Sequence, residues 1–137
     1  MKQSHKTLLT IILPTILVIG GLIALSKTSG SSSGSDGKDY TAFAQCLTEK
    51  GATLYATYWC PHCLDQKKLF GSAISEVNAV ECALPGGSSA GQTQICKDKD
   101  IQSYPTWEFA DGSRESGVQT LEALAEKTGC ELPALEG

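Results

Sequence analysis

The sequence of 137 residues predicts an α/β domain that follows one apolar segment near the N-terminus. Two observations predict this class. Short runs rich in aromatic and β-branched residues alternate with stretches whose apolar residues recur at helical spacing. The pair Asp111-Gly112 then separates two short strand-like runs, which is a strong signal for a β-hairpin.

The chain before the domain divides into three parts. Residues 1–6 are a short basic N-terminus, and residues 7–25 form a run of 19 positions without a charge. A helix of that length crosses a bilayer core of about 30 Å, and the basic residues before it place the N-terminus in the cytoplasm. The alternative is a cleaved signal peptide, because residues 24–26 resemble a small-residue cleavage site. Residues 26–38 are rich in Gly and Ser and predict a flexible tether.

The domain occupies residues 39–137. After a leading helix, the predicted order is β-α-β-α-β-β-α. A helical crossover implies that the first two strands are parallel, and the hairpin then closes the sheet. The predicted elements are a helix over 39–51, a strand over 52–58, a helix over 61–75, a strand over 77–83, a helix over 93–100, a hairpin over 105–117 and a helix over 120–129.

The first and last helices each have an apolar face. These faces supply the candidate core and are formed by Tyr40, Phe43, Ala44 and Leu47 in the leading helix, and by Leu121, Leu124, Ala125 and Thr128 in the last.

Charge and cysteine usage restrict the function. From residue 27 onward there are 9 basic and 15 acidic residues, and the basic ones do not cluster, so nothing indicates nucleic-acid binding. All six cysteines lie beyond the apolar segment. An even cysteine count in a small exported domain indicates an oxidising compartment.

The central motif is Cys60-Pro61-His62-Cys63, and four interpretations compete. Haem attachment requires a histidine directly after the second cysteine, where this chain has Leu64. A structural zinc site usually requires a second closely spaced ligand pair, which is missing. A purely structural cross-link would close a loop too short to stabilise the fold much. We therefore expect a redox pair that needs neither a metal nor a bound cofactor.

The predicted local structure explains the redox chemistry. If a helix starts at Pro61, the Cys60 sulfur faces unpaired N–H groups and the positive end of the helix dipole. That environment favours the thiolate, which is the nucleophile in disulfide exchange. His62 would add positive charge or a hydrogen-bond donor. Cys63, one turn further on, is the natural resolving thiol.

A second motif, "SYPTW", places Pro105 42 residues after Cys63. Together the two motifs resemble the thioredoxin superfamily, and "CPHC" is similar to the active site of the bacterial disulfide oxidase DsbA. The resemblance implies a thioredoxin-like fold and a cis Tyr104–Pro105 bond beside which an extended substrate pairs. Trp59, Tyr104 and Trp107 are the expected substrate-binding residues. A trans proline that opens a strand is the alternative.

The chain more closely resembles the thioredoxin-like domain fused to bacterial and cyanobacterial homologues of vitamin K epoxide reductase. The matching stretches within residues 40–130 are "FAQCLTEKGATLYATYWCPHC", "KKLFG", "VEC", "SYPTW" and "TLEALA". The resemblance implies that electrons pass from the cysteines of exported proteins to a quinone reductase in the membrane. One predicted helix stands where that family has a four-helix membrane enzyme.

Two features depart from better-known relatives. The strand over residues 52–58 has no acidic residue, which puts a thioredoxin-style proton relay in doubt. The 42 residues before Pro105 leave no room for the helical insertion of DsbA, so the DsbA substrate surface is not expected.

The other four cysteines allow three pairings. We favour Cys82–Cys96, which closes a glycine-rich loop, and Cys46–Cys130, which joins the leading helix to the end of the last. The alternative makes one of these pairs a second redox relay.

The sequence thus predicts a thiol–disulfide oxidoreductase held by a single membrane helix, with its domain on the periplasmic or thylakoid-luminal side. Two other functions remain open: an anchored thiol reductase or isomerase, for example in cytochrome maturation, and a non-catalytic thioredoxin-fold adaptor.

Overall fold

The computed structural model describes residues 37–134. The predicted membrane segment, residues 7–25, and all but the last two residues of the tether lie outside the described residues. Between residues 37 and 134 no helix has the length and apolar character needed to cross a membrane. The elements are α1 (Thr41–Glu49), β1 (Thr53–Ala56), α2 (Pro61–Phe70), β2 (Ala79–Glu81), α3 (Gln94–Asp98), β3 (Thr106–Glu108), β4 (Arg114–Ser116) and α4 (Leu121–Thr128), with 3₁₀ turns at Gly71–Glu76 and Ser88–Ala90.

The sheet has four strands in the order β2-β1-β3-β4. Strand β1 runs parallel to β2 and antiparallel to β3, which forms an antiparallel hairpin with β4. The predicted element order and strand directions are therefore confirmed. This mixed α/β architecture is compatible with a thioredoxin-like fold.

Helix α2 is shorter than the sequence predicts. The prediction ran to Ser75, but the α-helix ends at Phe70 and a 3₁₀ helix continues to Glu76. Gly71 is the reason, because it adopts φ 56° and ψ −133°, a left-handed backbone conformation that glycine enters without a steric penalty.

Strand β1 is an inner strand, and its side chains are buried on both faces of the sheet. Leu54 belongs to the main core, whereas the next residue, Tyr55, belongs to a second, smaller cluster. This alternation follows from the two-residue period of a strand. The largest fully buried side chains of the main core are Trp107, Phe43 and Phe70. The Phe70 ring contacts both of the others, with centroids 6.1 Å apart in each pair.

Two disulfides cross-link the domain, over 84 and 14 residues of sequence. Cys46 of α1 is bonded to Cys130, two residues after α4. Cys82, directly after β2, is bonded to Cys96 of α3. This is the pairing that the sequence favours. Each cross-link closes a loop and so reduces the entropy of the unfolded chain.

Candidate functional site

The candidate site lies at the turn from β1 into α2. Cys60 is the residue before the helix, with an extended backbone (φ −80°, ψ 121°), and Pro61 occupies the first turn. The Cys60 carbonyl accepts a hydrogen bond from the Leu64 N–H at 3.1 Å, which begins the helical ladder. The sulfur of Cys60 is therefore carried at the helix start, where the first N–H groups have no partner within the helix.

The two cysteines of the motif differ in access. Cys60 and Cys63 are both free thiols, while the other four cysteines are joined in disulfides. Cys60 keeps 7% of its surface exposed and Cys63 none. Both cysteines are buried, and the small exposed fraction that remains belongs to Cys60.

The environment of Cys63 favours its protonated form. Burial, together with the neighbouring Cys60, raises the pKa of the Cys63 thiol to about 11. The backbone N–H of Thr57 donates to the Cys63 sulfur at 3.5 Å and opposes this shift. At neutral pH Cys63 is therefore a thiol.

The loop that carries Pro105 faces Cys60. The Tyr104–Pro105 bond is cis, as the resemblance implies, and the Tyr104 carbonyl accepts a weak hydrogen bond from the Cys60 thiol at 3.8 Å. The Tyr104 ring meets Trp59 edge to face, with centroids 6.3 Å apart. Its hydroxyl accepts a hydrogen bond from Gln92. The motif and the proline loop thus form one site, although 42 residues separate Cys63 from Pro105.

The surface around Cys60 is apolar and partly exposed. Trp59 is 38% exposed, and Tyr58 and Leu64 are also exposed. The Tyr58 N–H donates to the Glu81 carboxylate at 3.2 Å, and the Tyr58 hydroxyl accepts from the Gly87 N–H at 2.7 Å. These contacts attach the glycine-rich loop after β2 to the chain just before the motif.

The other predicted site residues have different fates. Pro61 and His62 are exposed on the first turn of α2, and the His62 imidazole makes no hydrogen bond or ion pair with the part of the chain that the structure describes. The prediction that Trp107 binds substrate is wrong. Its side chain is fully buried and its indole N–H donates to Gln66 at 3.2 Å, so Trp107 belongs to the core.

Sequence reasoning missed two buried polar residues beside the motif. Gln66 is fully buried; it donates to the Gln119 carbonyl at 3.0 Å and accepts from the Gln119 N–H at 2.7 Å and from Trp107. Thr57, three residues before Cys60, is also buried. Each was visible as a polar residue within an otherwise apolar pattern, but the pattern does not identify its partner.

The site offers nothing that resembles a metal centre. Within residues 37–134, no group of three or more His, Cys, Asp or Glu side chains is arranged to hold a metal ion. The chemistry that the arrangement supports is exchange between sulfur atoms.

Comparison with known proteins points to the same chemistry. No family model matches the chain. Over 94 residues it is 40% identical to a thiol-disulfide oxidoreductase, LTO1, from Arabidopsis thaliana. The matched segment covers 66% of this chain and 24% of that protein, so the chain spans about a quarter of the length of this curated relative.

Proposed function

We propose that this protein is a thiol–disulfide oxidoreductase that oxidises the dithiols of exported proteins through Cys60 and Cys63. A substrate thiolate attacks the Cys60 sulfur of the oxidised pair, the Cys60–Cys63 bond breaks, and Cys63 leaves as a thiolate that takes up a proton. The second substrate thiolate then attacks the first substrate sulfur and releases Cys60. The substrate gains a disulfide, and the pair gains two electrons and two protons.

One observation carries this proposal: two free cysteines lie at the start of the same helix, and only the first keeps any exposed surface. Cys60 is 7% exposed and Cys63 is fully buried. Attack is therefore directed to Cys60, and Cys63 can react only with Cys60 beside it. A non-catalytic adaptor would not need two free cysteines in a domain whose other four cysteines are paired.

The surroundings of Cys60 suit a polypeptide substrate. Exposed Trp59 and Leu64 flank the sulfur in sequence and offer apolar contact. The Tyr104 carbonyl lies 3.8 Å from the sulfur, so an extended chain bound at Cys60 would pass directly beside this backbone. Main-chain pairing of that kind gives affinity with little dependence on substrate sequence.

We further propose that residues 7–25 anchor the protein and that a membrane quinone reductase of the vitamin K epoxide reductase type reoxidises the pair. The resemblance in the motif stretches supports this partner. The two disulfides support an oxidising compartment, periplasmic or thylakoid-luminal. A shared membrane would raise the effective concentration of the two partners.

Trapping of mixed disulfides tests both parts of the proposal. In cells, the full-length Cys63→Ala variant should accumulate mixed disulfides on Cys60, because the resolving thiol is gone. We expect the trapped proteins to include exported cysteine proteins and a membrane quinone reductase. The matched control is Cys60→Ala, which keeps one motif cysteine but should trap almost nothing, because Cys63 is sealed.

Two results would contradict the proposal. Equal trapping by the two variants would show that the difference in access has no functional role. Recovery of a membrane thiol-reducing transporter in place of a quinone reductase would reverse the direction of electron flow and make the protein a reductase.

A further inference from the structure

The hydroxyl group of Thr57 is buried and has no hydrogen-bond partner in the fold of residues 37–134. The residue is 1% exposed, and its Oγ1 atom is buried without a well-formed hydrogen bond. Among residues 37–134 only Thr41 shares this condition. A buried polar group without a partner costs free energy, so an unpaired hydroxyl next to a reactive centre calls for an explanation.

The backbone of Thr57 contacts both motif cysteines. Its N–H donates to the Cys63 sulfur at 3.5 Å, and its carbonyl accepts from the Cys60 N–H at 3.4 Å. The Thr57 hydroxyl is also among the groups that lower the pKa of Cys63. These facts agree if the hydroxyl faces the sulfur but has no well-aligned bond to it while Cys63 is a neutral thiol.

We propose that the Thr57 hydroxyl donates a hydrogen bond to the Cys63 sulfur as that sulfur becomes negatively charged during disulfide exchange. The inference rests on the proposed function. When a substrate thiolate attacks Cys60, the electron pair of the breaking Cys60–Cys63 bond passes to the Cys63 sulfur. The hydroxyl and the Thr57 N–H then stabilise this thiolate until it takes up a proton.

The need for such a donor follows from the burial of Cys63. A buried thiolate lacks solvating water, and a thiol whose pKa is raised to about 11 is a poor leaving group. A donor that is idle in the ground state and engaged when charge develops lowers the barrier without stabilising the ground state. Thr57 meets this description because its hydroxyl is already desolvated and has no competing partner.

Thr57→Val is the decisive variant, because valine has nearly the same shape and lacks the hydroxyl. We expect the oxidised full-length protein to react with dithiothreitol on the order of tenfold more slowly when the donor is removed. The equilibrium constant with glutathione at pH 7 should stay within about twofold, because Cys63 is uncharged in both the disulfide and the dithiol. Thr57→Ser keeps the hydroxyl and should restore the rate to within about twofold of the wild type.

The unfolding midpoint of the Thr57→Val variant distinguishes this role from a structural one. Since the hydroxyl is buried without a partner, its removal should leave the unfolding midpoint unchanged or raise it. A slower reaction that serine does not rescue would overturn the inference. The pair Thr57→Ser and Thr57→Ala repeats the comparison with smaller side chains if valine disturbs the packing.

The same experiment distinguishes the inference from the proposed function. A wild-type disulfide no more reactive toward dithiothreitol than a small-molecule disulfide would overturn both. A rapidly reacting wild type with an equally rapid Thr57→Val variant would overturn the inference and leave the proposed function standing.

Discussion

Gln66 connects the helix that carries Cys63 to the rest of the domain, and its removal should destabilise the fold. The side chain is fully buried and makes three hydrogen bonds, one with the indole of Trp107 and two with the backbone of Gln119. These partners are 41 and 53 residues away in sequence. The amide therefore holds α2, β3 and the segment before α4 in one network.

The cost of Gln66→Leu can be estimated from the groups left unpaired. Trp107 is fully buried, so its indole N–H loses its only partner and costs about 1–3 kcal/mol. The Gln119 bonds are partly buried, so water can replace some of that interaction. We expect a total loss of about 3 kcal/mol, which corresponds to a decrease of about 12–24 °C in the thermal midpoint of a domain this size.

Thermal and urea unfolding, followed by tryptophan fluorescence, measure this loss. The matched control is Gln45→Leu, on the exposed face of α1, where the side chain makes one surface hydrogen bond with Glu76. That variant should stay within about 0.5 kcal/mol of the wild type. A Gln66→Leu protein as stable as the Gln45→Leu control would refute the reasoning.

Gln66→Glu adds a dependence on pH. A carboxylate can accept from the same two N–H donors, but it faces the Gln119 carbonyl that the amide formerly donated to. A protonated carboxyl can donate to that carbonyl, so folding favours the protonated form and raises the pKa of the introduced group. Stability relative to the wild type should therefore be nearly retained at pH 4–5 and lost as pH rises toward 8. A pH-independent difference would contradict the hydrogen-bond assignment.

Three further predictions follow from other parts of the structure. In a Cys60→Ser background, alkylation of Cys63 should be slow at pH 8 and rise about tenfold per pH unit, because burial raises the pKa of this thiol; a rate that levels off near pH 8 would contradict it. The hydrogen bond from Lys99 lowers the pKa of Glu108 in the folded protein. This carboxylate therefore stabilises the fold at pH values above its unfolded pKa, and the stabilisation is lost as pH falls through the lower folded pKa. Glu108→Gln should weaken the acid dependence of the urea midpoint between about pH 5 and 3. Replacing Cys46 and Cys130 by serine should cost about 4.5 kcal/mol in the chain-entropy model, since the cysteines are 84 residues apart, and an unchanged midpoint under oxidising conditions would contradict the pairing.

Local patterns predicted most of the fold. The apolar spacing of Tyr40, Phe43, Ala44 and Leu47 identified a helix face that is buried. The Asp-Gly pair identified the hairpin between β3 and β4. These predictions succeed because helical spacing and turn chemistry are properties of neighbouring residues, which the sequence displays directly.

The errors arose where distant contacts decide the outcome. Trp107 alternates with polar neighbours as a groove residue also would. Its complete burial, its ring contact with Phe70 and its hydrogen bond to Gln66 show that it is core. The end of α2 depended on the backbone conformation of Gly71, which is compatible with several local structures. The unpaired state of the Thr57 hydroxyl is a property of the packed domain and has no local signature.

The two edge strands of the sheet limit how other chains can pair with this domain. Strands β2 and β4 are three residues long, and β4 is exposed along its whole length and carries both Arg114 and Glu115. Under the proposed function, the domain meets unfolded substrate chains whose backbone groups are unpaired. Short edge strands, one of them charged, offer such chains too few backbone groups to add a further strand to the sheet. If the proposed function holds, an oxidised substrate is therefore not retained by strand pairing, and the same edges limit self-association of the domain.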